Sequence, residues 1–182
     1  MAKEEDTIPV EEAVRQIGIM AERLAMLHYH FANTLVQELG EEQGRALVAR
    51  AIAAYGAEVG ERQRQRVVAA GFTADCVNYG RAPDLPALAW SCDHMPVVNR
   101  GGKDIHVCPL ALYWIENGRE SLGRLYCFVD QAKYTAFDPD CEARHLKNVL
   151  DGDECCDVVA KKRTEWQAGR AGPDTEGEGA KG

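Results

Sequence analysis

The residues best equipped for chemistry lie in the second half of the chain. In "KDIHVCPLALYW", His106 and Cys108 are two residues apart. On a strand that spacing puts both on one face. An imidazole beside a thiol is the minimal pair for an activated thiolate. The plainer reading is a core cysteine near a surface histidine. In "LYCFVDQAKY", Cys127 and Asp130 stand at i and i+3, on one face of a helix. A carboxylate raises the pKa of a neighbouring thiol, so this pair suits general-base work by Asp130 better than attack by sulfur. The competing reading is a buried Cys127 with Asp130 paired to Lys133 or Lys103.

The stretch "VLDGDECCDVV", 149–159, carries adjacent Cys155 and Cys156. Strand alternation would send the two thiols to opposite faces, which argues against a shared metal or a vicinal disulfide. Asp151-Gly152 is a type I′ hairpin signal, and Asp153 is placed to cap the turn. "HYH" at 28–30 splits His28 and His30 between helix faces. "SCDH" at 91–94 offers Cys92, Asp93 and His94 beside Pro96, with uncertain local geometry. None of the phosphate-loop, dinucleotide-binding, serine-elbow or zinc-helix motifs occurs. No C-x-x-C occurs either, so neither a metal nor another cofactor is expected.

These residues must be positioned by elements legible from periodicity. Val10, Val14, Ile17, Met20, Leu24, Leu27, Phe31, Leu35 and Leu39 recur every three or four residues. They predict one long amphipathic helix stopped by Gly40. Leu47, Ala51, Ile52, Tyr55, Val59, Val67 and Val68 predict a second, ended by Gly71. Gly44, Gly56 and Gly60 inside it each weaken a helix by up to about 1 kcal/mol. Close approach of the first helix is the favoured reason, contact with a ligand or partner the other. Strands are predicted near 87–92 and 103–108, with Gly101-Gly102 as a hairpin turn. A short helix follows over 110–116, then one continuous helix through "ESLGRLYCFVDQAKYTAF", ended by Pro139. A second hairpin covers 141–162. The fold class is α+β: two long N-terminal helices packed on a small antiparallel sheet of about four strands, with one or two further helices. Residues 1–163 form one domain with 1–7 frayed, and 164–182 form a disordered tail.

The chain has 182 residues, 46% of them hydrophobic, with a net charge of -8. That balance argues against nucleic acid as a partner. No apolar run is long enough to span a membrane, and the acidic start has no signal-peptide core. The cytoplasm is therefore the default, and the seven cysteines are expected mostly reduced. A homo-oligomer is expected, because two long helices and a small sheet leave apolar surface uncovered. A hetero-complex is the alternative.

The long helix, "LGEEQGRALVARAIAAYGAEVGERQRQRV", "HVCPLALYW", "LYCFVDQAKYTAF" and "GDECC", in that order, resemble the L-2-amino-thiazoline-4-carboxylic acid hydrolase family across residues 10–162. By position the resemblance carries Cys108, Cys127, Asp130, Gly152, Asp153, Cys156, Gly56 and Gly60. It implies a small-molecule substrate: a thiazoline or related heterocyclic carboxylate whose ring opens by hydrolysis of a C–N bond to a carbamoyl-cysteine. Asp130 is then the general base, Cys108 or Cys127 the candidate nucleophile and His106 the proton donor. Arg100, Lys103, Arg144 and Cys156 are candidates to contact substrate. The closing hairpin also resembles four-vinyl-reductase ligand-binding domains. That resemblance implies a sensor or binder without catalysis. The third alternative is a subunit of a larger enzyme complex.

Overall fold

A computed structural model describes residues 7–168. The helix α1 runs Val10–Leu39 and α2 runs Glu41–Ala69, joined at Gly40 with φ +83°. Only glycine takes that left-handed turn without cost. Glu11, Glu12, Glu41 and Glu42 occupy the first turns, where carboxylates complement the helix dipole.

α1 forms as its periodicity requires, but it buries a different face. The residues turned inward are Ala21, Ala25, His28 and Ala32, while Met20, Leu24, Leu27 and Phe31 are exposed. Small side chains let the indole of Trp114 approach the α1 backbone and donate from Nε1 to Ala25 O at 3.0 Å.

After α2 come a 3-10 turn over Cys76–Arg81, a helical turn α3 (Ala87–Trp90) and the antiparallel pair β1 (Val97–Arg100) and β2 (Lys103–His106). Then follow α4 (Pro109–Glu116), α5 (Glu120–Tyr126) and α6 (Val129–Phe137). A second antiparallel pair, β3 (Cys141–Lys147) and β4 (Asp157–Lys162), leads into α7 (Arg163–Ala168). No helix among the described residues is long and apolar enough to cross a membrane.

The α+β class holds, and the four strands among the described residues are arranged as two separate ribbons rather than one sheet. The strand expected near 87–92 is a helical turn after Pro86, and the strand lies later, at Val97–Arg100. Gly101 and Gly102 turn the first ribbon with φ +60° and +84°. The single helix expected across 120–137 is two. Asp151-Gly152 does not close a two-residue hairpin. A 3-10 turn over Val149–Asp151 ends at Gly152 (φ +96°), and a loop carries Cys155 and Cys156 before β4 begins. Strand alternation therefore does not govern those two thiols. Both are free, Cys156 exposed and Cys155 half-buried.

Cys76 and Cys141 form a disulfide, unforeseen in a chain whose thiols were expected mostly reduced. The 65-residue separation hides the pair from any local spacing rule. The tail expected to be disordered from Thr164 begins helical. Trp166 donates from Nε1 to Glu142 O at 3.0 Å, and the rest of that tail lies outside the described residues.

α2 buries Gly44, Val48, Ile52, Gly56, Gly60, Gln63 and Val67. Gly44 meets α1, but Gly56 and Gly60 face α6. A Cβ on Gly60 would stand 2.1 Å from Lys133 O, and one on Gly56 2.6 Å from Ala132 Cβ. The glycines thus answer to packing, chiefly against α6 rather than α1. They set how deep α6 sits, and α6 carries Asp130 and Lys133.

Candidate functional site

The site begins where α5 stops. Gly123 lies flat on Trp114, where a Cβ would be 2.3 Å from Cδ2, so α5 is seated on α4. α6 is seated on the α2 glycines instead. One straight helix cannot satisfy both partners. The chain breaks at Cys127-Phe128 through tight i→i−3 bonds: Cys127 N to Arg124 O at 3.2 Å and Phe128 N to Leu125 O at 3.3 Å. The carbonyl of Cys127 accepts from Asp130 N at 3.2 Å and also from His145 Nε2 at 3.2 Å.

A chain of polar contacts runs inward from there. Asp130 Oδ2 meets His145 Nε2 at 3.0 Å, and Asp130 Oδ1 meets Lys133 Nζ at 2.9 Å. Lys133 also reaches Asp84 Oδ2 at 2.7 Å, which accepts from the Tyr79 hydroxyl at 2.9 Å. On the other side, Asn148 Nδ2 donates to His145 Nδ1 at 3.1 Å. Asn148 Oδ1 accepts from Leu150 N at 2.9 Å, which fixes the amide's orientation. The bonding pattern therefore assigns the His145 proton to Nε2 and a lone pair to Nδ1.

Burial works against the Asp130 charge, but the His145 hydrogen bond and the Lys133 ammonium outweigh it and hold the carboxyl below its usual range. Lys133 is 8% exposed. Burial works against its charge too, yet Asp130 and Asp84 raise its pKa above that of an ordinary lysine.

Local sequence explains how β3 presents His145. Cys141, Ala143 and His145 share the inward face of the strand, and the register with β4 shifts between His145 and Lys147. Such a bulge re-aims a side chain. Asn148 is pinned by the "GDECC" loop: its backbone N donates to Asp153 Oδ2 at 2.7 Å, and Asp153 N donates to Asn148 O at 3.3 Å. Asp153 is the turn cap that the sequence suggested.

Outside this chain of contacts lies a cleft of about 500 Å³ between α6 and β3, lined by Arg124, Gln131, Glu142, Arg144, His145 and Arg163 among others. Three guanidinium groups and one carboxylate make it cationic. Arg124 Nε donates to Asp151 Oδ2 at 2.8 Å, and Arg144 Nε donates to Glu142 Oε1 at 2.7 Å while stacking 4.3 Å over Trp166. Arg124 Nη1 and Gln131 Oε1 are buried and have no hydrogen-bond partner among the described residues. Such groups normally find one.

The family model described as L-2-amino-thiazoline-4-carboxylic acid hydrolase matches residues 19–159. The chain belongs to that family. No curated protein and no solved structure matches it. The matched span includes each cleft residue named above except Arg163.

In this family member, Cys127 and Asp130 come together with His145, and Arg144 reaches the cleft. Cys108 does not pair with His106. β2 ends at His106 and the chain turns at Pro109 into α4. That makes Cys108 the cap of α4, its Sγ accepting from Ala111 N at 3.2 Å, and leaves His106 exposed, outside the residues lining the cleft. Burial pushes the Cys108 thiol up to about 12 and the Cys127 thiol to about 11. Cys156, raised by partial desolvation although its loop is exposed, lies within electrostatic reach of both. All three thiols stay protonated near neutral pH and are poor nucleophiles. Arg100 Nη1 donates to Val149 O at 2.8 Å and braces the loop instead of facing the cleft. Lys103 is exposed on β2, away from the cleft.

His145, Asn148, Arg124, Gln131 and Arg163 escaped the sequence reading. His145 had a usable signal, since it alternates with Cys141 and Ala143. Gln131 lies one helical turn from Thr135, which also lines the cleft. Arg124 and Arg163 offered none, because nothing local says which cation turns toward a cleft.

Proposed function

We propose that this protein hydrolyses a cyclic amidine carboxylate of the 2-amino-thiazoline-4-carboxylate type, opening the ring at a C–N bond. The observation that carries the reading is a cationic cleft lined by Arg124, Arg144, Arg163 and Gln131, in which Arg124 Nη1 and Gln131 Oε1, both closed off from solvent, have no hydrogen-bond partner among the described residues. The substrate has the complementary groups, a carboxylate for the arginine and an amidine N–H for the glutamine oxygen. Arg144 and Arg163 add positive charge.

His145 Nδ1, freed from Asn148 when substrate and water enter, takes a proton from water as its oxygen adds to the carbon between sulfur and two nitrogens. Each oxygen of Asp130 already meets Lys133 or His145, so in this reading Asp130 holds and orients the imidazole. The proton then passes to the ring nitrogen, the C–N bond breaks with its electrons going to nitrogen, and the hydroxyl proton follows through the same imidazole to that nitrogen as the added oxygen becomes a carbonyl. One water is consumed, and the product is an S-carbamoyl cysteine with a free amine.

The test incubates the full chain with 2-amino-thiazoline-4-carboxylate. A gain of one water in mass, with a new amine and no new thiol, is expected. A new thiol would mean C–S cleavage. Absence of both turnover and binding would remove the hydrolase reading.

A further inference from the structure

α1 presents its large residues outward. Its inner face is Ala21, Ala25 and Ala32 with His28, whereas Met20 and Phe31 are each 66% exposed and Leu27 is 55%. Ile17, Met20, Leu24, Leu27 and Phe31 follow one another at spacings of 3, 4, 3 and 4. That is the seam spacing of a helix whose knobs enter holes on another helix. No charged residue stands in the seam. Beside it runs a groove of about 300 Å³ between α1 and α2, rimmed by Leu27, Phe31 and Tyr55, with Ala32 and Ile52 also in its wall.

We propose that two copies of this chain pair through this face, α1 against α1 in antiparallel orientation about a two-fold axis near Ala25 and Met26. Met20 of one copy then lies against Phe31 of the other, and Leu24 against Leu27. The seam is complementary to itself, as a two-fold interface requires. The antiparallel choice opposes the helix dipoles and keeps the Glu11-Glu12 turns of the two copies apart. Tyr55 on α2, 44% exposed, extends the patch. With about 200 Å² for a fully exposed large apolar side chain, the patch offers on the order of 550 Å² per copy. The pair would bury roughly 1,100 Å², above the total of about 1,000 Å² that a specific interface should clear.

Sedimentation of the full chain tests this. Wild type should run as a dimer of the 20.0 kDa chain. Leu24→Glu and Leu27→Lys should each raise the dimer dissociation constant at least about 100-fold with helical circular dichroism intact. The Leu24→Glu/Leu27→Lys double variant should recover the dimer, because antiparallel pairing sets glutamate against lysine twice. Val77→Glu, at an 84% exposed position away from the seam, should leave it unchanged. A wild-type monomer up to about 100 μM overturns the proposal, even if the groove then holds a small apolar molecule or a foreign helix. A dimer indifferent to both single variants overturns it too, and failure of the double variant to recover overturns the antiparallel pairing. The wild-type mass decides the main point even if a variant misfolds.

Discussion

Asp130 Oδ2 and His145 Nε2 meet at 3.0 Å, joining α6 to β3 at the wall of a cationic cleft. The contact gives the imidazole one orientation and one tautomer. The carboxylate that provides it is held below its usual range by that same His145 hydrogen bond and by the Lys133 ammonium, against its burial.

His145→Ala should lower turnover of the thiazoline carboxylate by about 10²–10⁴-fold, the usual worth of a positioned acid–base group. Asp130→Asn should lower kcat while KM changes little, because it acts through the imidazole. Steady-state kinetics on folded variants decides both, and wild-type turnover in His145→Ala would remove it from the chemistry.

Arg124→Met should raise KM for a carboxylate substrate about 10–100-fold with a smaller change in kcat, since one charged hydrogen bond is worth about 1.5–3 kcal/mol. The amide analogue, lacking the carboxylate, should lose little. If both respond equally, Arg124 does not read the carboxylate.

Cys108→Ser and Cys127→Ser should each keep more than about a tenth of wild-type turnover, because thiols raised to about 12 and about 11 are not nucleophiles near neutral pH. Loss of all turnover in Cys127→Ser, with the protein folded, would restore covalent catalysis by sulfur.

The buried ion pair predicts a pH window. Asp130 is lowered on folding, so its contribution is present above the ordinary carboxylate pKa and lost as pH falls through the folded value. Lys133 is raised, so its contribution is present below the ordinary lysine pKa and lost as pH rises through the folded value. Both contributions are full between about pH 4 and 10. Lys133→Met should destabilise by about 3–5 kcal/mol inside that window and less below it, as pH falls through the folded value of Asp130. Thermal melting across pH measures it, and a pH-independent loss would contradict the assignment.

Gly60→Ala sets a Cβ 2.1 Å from a backbone oxygen that cannot turn aside, whereas Gly18→Ala in α1 meets nothing within 4 Å. The first should cost at least about 2 kcal/mol and the second should gain about 0.5–1 kcal/mol. Urea denaturation compares them. Equal effects would mean that α6 does not rest on Gly60.

Periodicity and stop residues determined much by themselves. The bounds of α1 and α2, the turn at Gly101-Gly102, the α4 segment and the cap at Asp153 all depend on neighbours within a few positions. Asp130 and Cys127 were singled out by a spacing that would share one helix face, but the helix breaks between them, leaving Cys127 as the cap of α5 and Asp130 in the first turn of α6. Tertiary structure decided the rest. Which face of α1 is buried depends on how closely Trp114 approaches, not on α1's own pattern. The break between α5 and α6 exists because Gly123 and Gly60 answer to different helices. His145 and Asp130 are fifteen residues apart, and Cys76 and Cys141 are separated by 65. Local sequence rules reach one turn or one hairpin. Contacts made across the core depend on the packing of every element between them, and the candidate site is built from such contacts.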